Sequence, residues 1–186
     1  MFFLKFYIFF SLFITFVASS QPEETKSICF NINDYITKEG NNLIISGKGR
    51  MCDCKDNNSL GQNYPYMSSV TISNEVEYIG SNCFKNLQNL ISINLGTGVK
   101  EIGENSFSNT KINKLSIPSS VNKINMNAFS QNKELKSISF EENNDEEELI
   151  VEKYAFSNCE NLKTFNIPQR LKQFEKSTIK GCKNLI

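Results

Sequence analysis

A period of 22 to 23 residues runs through most of this 186-residue chain, and it restricts the chain to architectures made by stacking one small unit on the next. The landmarks are pairs in which a small residue precedes an apolar one: Cys83-Phe84, Ser106-Phe107, Ala128-Phe129, Ala155-Phe156 and Thr178-Ile179, spaced 23, 22, 27 and 23 apart. Fourteen positions upstream stand Val70, Ile93, Leu115 and Phe165, and twelve upstream stand Ile72, Leu95, Ile117 and Ile167. That alternation predicts a strand with one buried face. Eight upstream come Val76, Val99, Val121 and Leu171, and five upstream come Ile79, Ile102, Ile124, Val151 and Phe174. Leu90, Leu135, Leu162 and Leu185 close the unit six positions on. In the fourth repeat the extra residues form an acidic insertion, 141–148, which leaves Ile138 and Phe140 in the strand. A unit of this size buries too few apolar side chains to offset the entropy of ordering it, so neighbours must share one continuous core.

The spelling V-x-I-x-x-x-V-x-x-I-G-x-x-x-F, carried by Val70 to Phe84 and by Ile93 to Phe107, resembles the BspA-like leucine-rich repeats. Ile117-Pro118 and Ile167-Pro168 add the Ile-Pro of that family, and Asn42 to Met51 is similar to the segment that precedes its first repeat. The resemblance covers about residues 29–186 and implies an α/β leucine-rich-repeat solenoid. It places a parallel sheet on the concave face, short helical or irregular segments on the convex side, and an amino-terminal cap at one end. It also implies surface adhesion or host contact. The glycine after the isoleucine becomes Asn125, Glu152 and Glu175 in later copies, where looser turns are expected.

Three domains follow: a leader at 1–20, a cap at 21–69 that does not keep the period, and about five repeats at 70–186. Met1 to Ser20 has one early lysine, an apolar stretch from Phe6 to Val17 and small residues at Ala18 and Ser20, the order of a cleavable secretory signal. An uncleaved anchor is the competing reading. No later segment is apolar enough to span a bilayer, so a secreted or surface location is expected. The last residues, Asn184-Leu185-Ile186, show no polar cap, which raises truncation or self-association through the last repeat.

Chemistry is limited by what the composition lacks. There is no histidine, which removes imidazole as base, shuttle or ligand, and there are only two arginines, Arg50 and Arg170. Twenty basic and twenty acidic side chains argue against a nucleic-acid partner. No catalytic residue, cofactor or metal is assigned, and a non-enzymatic chain is expected. Gly47-Lys48-Gly49 lacks the remainder of a phosphate loop. The acidic insertion lacks the spaced Asp and Gly of a calcium loop and reads as solvated chain.

Cys83, Cys159 and Cys182 fall in the core column and read as buried small hydrophobes. Cys29, Cys52 and Cys54 lie in the cap, where a bridge from Cys29 to one of the other two is expected in an exported chain, leaving one thiol over. Asn57 is the acceptor of the one N-x-S/T sequence.

The strand alternation also defines an outward row: Ser69, Thr71, Ser92, Asn94, Lys114, Ser116, Ser137, Ser139, Thr164 and Asn166. Nine of these ten are uncharged hydroxyl or amide side chains, a low-charge hydrogen-bonding surface suited to an extracellular protein or glycan. Stacked Ser, Thr and Asn that satisfy one another and bind nothing is the bland reading, and a self-associating coat is the rival function.

Overall fold

The computed structural model describes residues 31–55, 60–142 and 147–186. The expected leader at 1–20, Cys29, Asn57 and residues 143–146 of the acidic run lie outside them. The described chain winds through six coils of a β-solenoid. Its strands are β1 (Ile36–Glu39), β2 (Asn42–Ile45), β3 (Gly49–Arg50), β4 (Ser69–Ile72), β5 (Val76–Ile79), β6 (Ser92–Asn94), β7 (Glu101–Ile102), β8 (Lys114–Ile117), β9 (Lys123–Ile124), β10 (Ser137–Phe140), β11 (Leu149–Val151), β12 (Thr164–Phe165) and β13 (Leu171–Gln173).

Each coil contributes to three sides. On the first, β1-β2-β4-β6 form one sheet and β8-β10-β12 a second. Between β6 and β8 the ladder lapses, and Asn113 N–H donates to Ile91 O at 3.2 Å instead. This is the coil one residue shorter than its neighbours, where Ile112 rather than a leucine six positions on fills the closing core place. The second side is a six-stranded parallel sheet, β13-β11-β9-β7-β5-β3.

The solenoid of parallel strands is as expected, but its second side departs from an α/β reading. Helical or irregular segments were expected there; among the described residues α-helix is confined to the single turn Leu60–Asn63. The reason is visible in Val76–Ile79 and its copies: short, β-branched segments recur in register, so an adjacent coil always offers backbone partners at strand spacing.

The third side is a tight turn around each landmark phenylalanine. Residues two before and two after it are left-handed: Asn82 and Asn86, Asn105 and Asn109, Asn127 and Gln131, Tyr154 and Asn158. Asparagine tolerates this conformation because its short amide bonds locally; tyrosine does not share that advantage. Backbone bonds again run from coil to coil, with Phe84, Phe107, Phe129 and Phe156 donating to the carbonyls of Ser106, Ala128, Ala155 and Thr178 at 2.8–2.9 Å.

The four phenylalanines are fully buried and stack nearly parallel, with centroids 4.9, 5.4 and 5.4 Å apart. Each burial contributes about 1.5–3 kcal/mol, and each stacked pair about 0.5–1.5 more. Beyond Phe156 the regularity ends, because Ile179 takes the fifth place and Phe165 meets Phe156 edge-on at 70°.

The boundary between cap and repeats moves. Residues 42–55 and 60–67, set aside in the sequence as cap, belong to one more coil: β2 pairs with β4 in register, Leu43 opposite Val70 and Ile45 opposite Ile72, and Leu60 N–H donates to Cys83 O at 2.8 Å. Its turns differ in length from the others, which hid the period. The end is closed by β1, antiparallel on β2 through a connection at Gly40, φ 59°. The edge of β2 is thereby paired, and the short, charged β1 becomes the terminal strand.

At the other end the expected core file holds through Ile72, Leu95, Ile117 and half-buried Phe140, then fails at Ile167, which is 65 % exposed. Pairing of β12 stops at Phe165, so Ile167 leaves the inward alternation. The turns expected to loosen do not all do so. Asn125 and Glu152 make the same backbone bond as Gly103, at 3.0, 2.9 and 2.9 Å, whereas Glu175 N–H turns to Thr178 Oγ1. Glycine matters where backbones meet: a Cβ on Gly80 would lie 2.1 Å from Cys52 O.

Candidate functional site

Strand pairing assembles the outward residues of the first side into two rows. Ser69 pairs with Ser92 and Thr71 with Asn94; Lys114, Ser137 and Thr164 are successive partners, as are Ser116 and Ser139. Asn166 lies one residue past β12 and outside the ladder. The alternation places Val70, Leu115 and Ile138 inward and buried, while Ser92, Asn94, Lys114, Ser116, Ser139, Thr164 and Asn166 are exposed.

The rows are not uniform. At the amino-terminal end Ser69 Oγ donates to Asn42 Oδ1 at 2.9 Å, and Asn42 Nδ2 donates to Thr71 Oγ1 at 3.3 Å. Those two positions are half-buried and satisfied internally. Further along, Ser116 Oγ donates to Glu141 Oε1 at 3.3 Å, and Ser139 Oγ reaches Leu115 O at 3.5 Å. Glu141 is the first residue of the acidic insertion, and it borders this face, a neighbour the sequence reading did not foresee.

The six-stranded sheet presents charge instead. Lys123 Nζ sits between Glu101 at 3.7 Å and Glu152 at 3.3 Å, Lys100 meets Glu77 at 3.1 Å, and Arg50 meets Glu101 at 4.0 Å while its guanidinium covers the Tyr78 ring at 3.5 Å. These pairs link one coil to another, yet all are part-exposed and each is worth about 0–1 kcal/mol. Tyr78 Oη donates to Asp53 Oδ1 at 2.8 Å, and Ser81 N–H donates to the same oxygen at 2.7 Å. Burial pushes the Asp53 carboxyl up, but those bonds and Arg50 together hold it below its ordinary value. Burial and the neighbouring carboxylate raise Tyr78. The arrangement ties two coils together; it offers no opposed acid and base.

The turn side has its own internal network. Asn132, fully buried, accepts at Oδ1 from Thr110 N–H at 2.8 Å and Oγ1 at 2.6 Å, and donates through Nδ2 to Phe107 O and Phe129 O at 3.0 and 2.9 Å. It was missed in the sequence. The sequence does carry Asn-small-Phe-x-Asn, complete at Asn82 to Asn86 and at Asn105 to Asn109, which marks both left-handed positions but not Asn132 itself.

The cysteines require a correction. Cys83 is buried as expected but is no free hydrophobe: it is bonded to Cys54, Cα–Cα 4.8 Å, joining two successive coils. Cys52 is also disulfide-bonded, so neither thiol of the Cys52-x-Cys54 pair is left over. The two coils lie side by side here, which brings an irregular segment against the core column. Cys159 and Cys182 are free, the first buried and the second half-buried. Among the described residues no three His, Cys, Asp or Glu gather as a metal set, and no helix is long and apolar enough to cross a membrane.

Comparison with known proteins agrees with this geometry. The model for the BspA type leucine rich repeat region matches residues 58–186 in 6 copies. A crystal structure of a leucine-rich repeat protein from Bacteroides ovatus is similar at 19% identity and TM-score 0.57, over 88% of this chain and 45% of that one. The pneumococcal vaccine antigen PcpA is similar at 18% identity and TM-score 0.57, over 83% of this chain and 47% of its own. The chain thus spans about half the length of these solved relatives, and at such identities they speak for the fold alone. No curated protein matches the chain.

Proposed function

The chain belongs to the BspA type leucine-rich repeat family, and from that premise we propose that it is a secreted or surface-held binding module which contacts an extracellular protein or glycan through the outward face of β6, β8, β10 and β12. Chains of this fold are typically binding or structural modules rather than enzymes. The observation that carries the choice of face is a contrast. The second side pairs its charges coil to coil and the turn side engages its amides and backbone, while Ser92, Asn94, Lys114, Thr164 and Asn166 stand exposed on the first. Ser69 and Thr71 belong to the same rows but are engaged by Asn42, which moves the expected contact toward the later strands. No exposed aromatic or arginine anchor lies among these outward residues, so affinity comes from area and repetition.

Export is supported by the order of residues in Met1 to Ser20 and by the disulfide Cys54–Cys83, a linkage that persists in oxidising compartments. A second reading, self-association through the last coil, is favoured by the exposure of Ile167. Binding of residues 21–186 to glycan and matrix-protein arrays tests the first reading, alongside a variant carrying glutamate at Asn94, Ser116, Ser139 and Asn166. Loss of binding in that variant is the expected result; binding retained by it removes this face. Light scattering that shows growth with concentration, with no array signal, favours self-association.

A further inference from the structure

Three residues past each landmark, one place in the turn is filled in succession by Leu87, Thr110, Asn132, Cys159 and Cys182. Thr110 donates its hydroxyl to Asn132 Oδ1, and the occupants from Asn132 onward share a task, which is to satisfy a landmark carbonyl of the preceding coil. Asn132 Nδ2 donates to Phe107 O at 3.0 Å, Cys159 S–H to Phe129 O at 3.3 Å and Cys182 S–H to Phe156 O at 3.1 Å. Successive coils therefore hold two free thiols at the same place, and the coils are joined beside them by Asn158 N–H, which donates to Lys180 O at 2.7 Å.

We propose that Cys159 and Cys182 are a dithiol pair that closes to an inter-coil disulfide by exchange with a small-molecule disulfide, fastening the last described coil to the one before it. The fold already holds such a link between neighbouring coils in Cys54–Cys83, with Cα atoms 4.8 Å apart. Strand-spaced coils lie about 4.8 Å apart, inside the 4.4–6.8 Å that a disulfide spans.

The two sulfurs are unequal in a way that orders the reaction. The neighbouring Cys159 side chain, with a backbone N–H from Cys159, holds the Cys182 thiol below its ordinary value against the opposing effect of burial. The nearness of Cys182, and burial, push Cys159 well up. Half-buried Cys182 is the more accessible and more readily ionised of the two sulfurs; as its thiolate it attacks first, forming a mixed disulfide and releasing one small thiol. Cys159 then gives up its proton and displaces the second small thiol, forming its bond to Cys182. The net change is two protein thiols and one small disulfide converted to one protein disulfide and two small thiols.

The inference is independent of any ligand on the strand face. Its test is to incubate the folded chain at low concentration with oxidised glutathione, quench in acid, alkylate in denaturant and map peptides without reduction. The expected result is loss of both free thiols, a peptide joining Cys159 to Cys182, and an unchanged Cys54–Cys83 link. Cys159→Ser should instead retain glutathione on Cys182, and Cys182→Ser should leave Cys159 unmodified while the chain stays folded. Recovery of both thiols as alkylated cysteine overturns the proposal. So does a wild-type chain that keeps glutathione on Cys182, or one cross-linked only between molecules; these outcomes are read on the wild type and stand even if a variant fails to fold.

Discussion

The coils from Phe84 to Phe156 and the coil that follows them are written in the same repeat, yet they pack differently. In the first group four rings lie flat on one another, within 6° of parallel, and a buried asparagine ties the turns beneath them. In the last coil the ring column gives way to Ile179, Phe165 turns edge-on to Phe156 and Phe140, and Ile167 faces solvent. A repeat pattern thus specifies where a side chain stands along the coil. Whether it is buried depends on continued strand pairing with the coil beside it.

The largest consequence of this contrast is energetic. Phe129→Ala removes a ring held between two others and is expected to cost about 3–5 kcal/mol, whereas Ile179→Ala in the last coil should cost less than half of that. Urea unfolding of the two variants measures the ratio, and equal costs would erase the distinction between the regions. Next comes Asn132→Ala, which strands the Phe107 carbonyl and the Thr110 donors in the interior and is expected to cost about 2–3 kcal/mol. Asn132→Leu, imitating Leu87, should recover part of the volume but none of the bonds.

Tyr154 marks the junction. It holds φ 60° where six of the eight left-handed non-glycine turn residues are asparagine, and the residue is 37% exposed. Tyr154→Asn is therefore expected to raise stability by about 1 kcal/mol, seen as a higher urea midpoint at unchanged slope. A drop would mean that the tyrosine makes contacts worth more than the strain. The smallest effect is expected at Ile167, where Ile167→Thr should alter stability by no more than about 0.5 kcal/mol. A larger loss would show that this side chain is covered in solution.

Much of the fold was legible because alternation and β-branching report strand faces directly. Val70, Leu115, Ile138 and their partners stand where the period puts them. The second sheet was harder to foresee, since two- and three-residue strands such as Glu101–Ile102 acquire their character only from the neighbouring coil. Residues 42–55 and 60–67 escaped because their turns have other lengths, and the shorter turn before β8 moved the closing residue to Ile112. The Cys54–Cys83 link joins a segment without the period to one that has it, so spacing alone could not pair them. On the candidate face the outward positions were legible, but their state was not. The engagement of Ser69 and Thr71 by Asn42, and the approach of Glu141 to Ser116, are contacts between coils that a single repeat does not contain.

The central claim is that equivalent side chains in adjoining coils touch and stabilise each other. Double-mutant cycles with phenylalanine-to-leucine changes test it most directly, comparing the adjacent pair Phe107 and Phe129 with the pair Phe84 and Phe156, which are three coils apart. The account predicts a coupling of about 0.5–1.5 kcal/mol for the adjacent pair and none beyond about 0.3–0.5 kcal/mol for the distant one. Additive behaviour at Phe107 and Phe129 would contradict it.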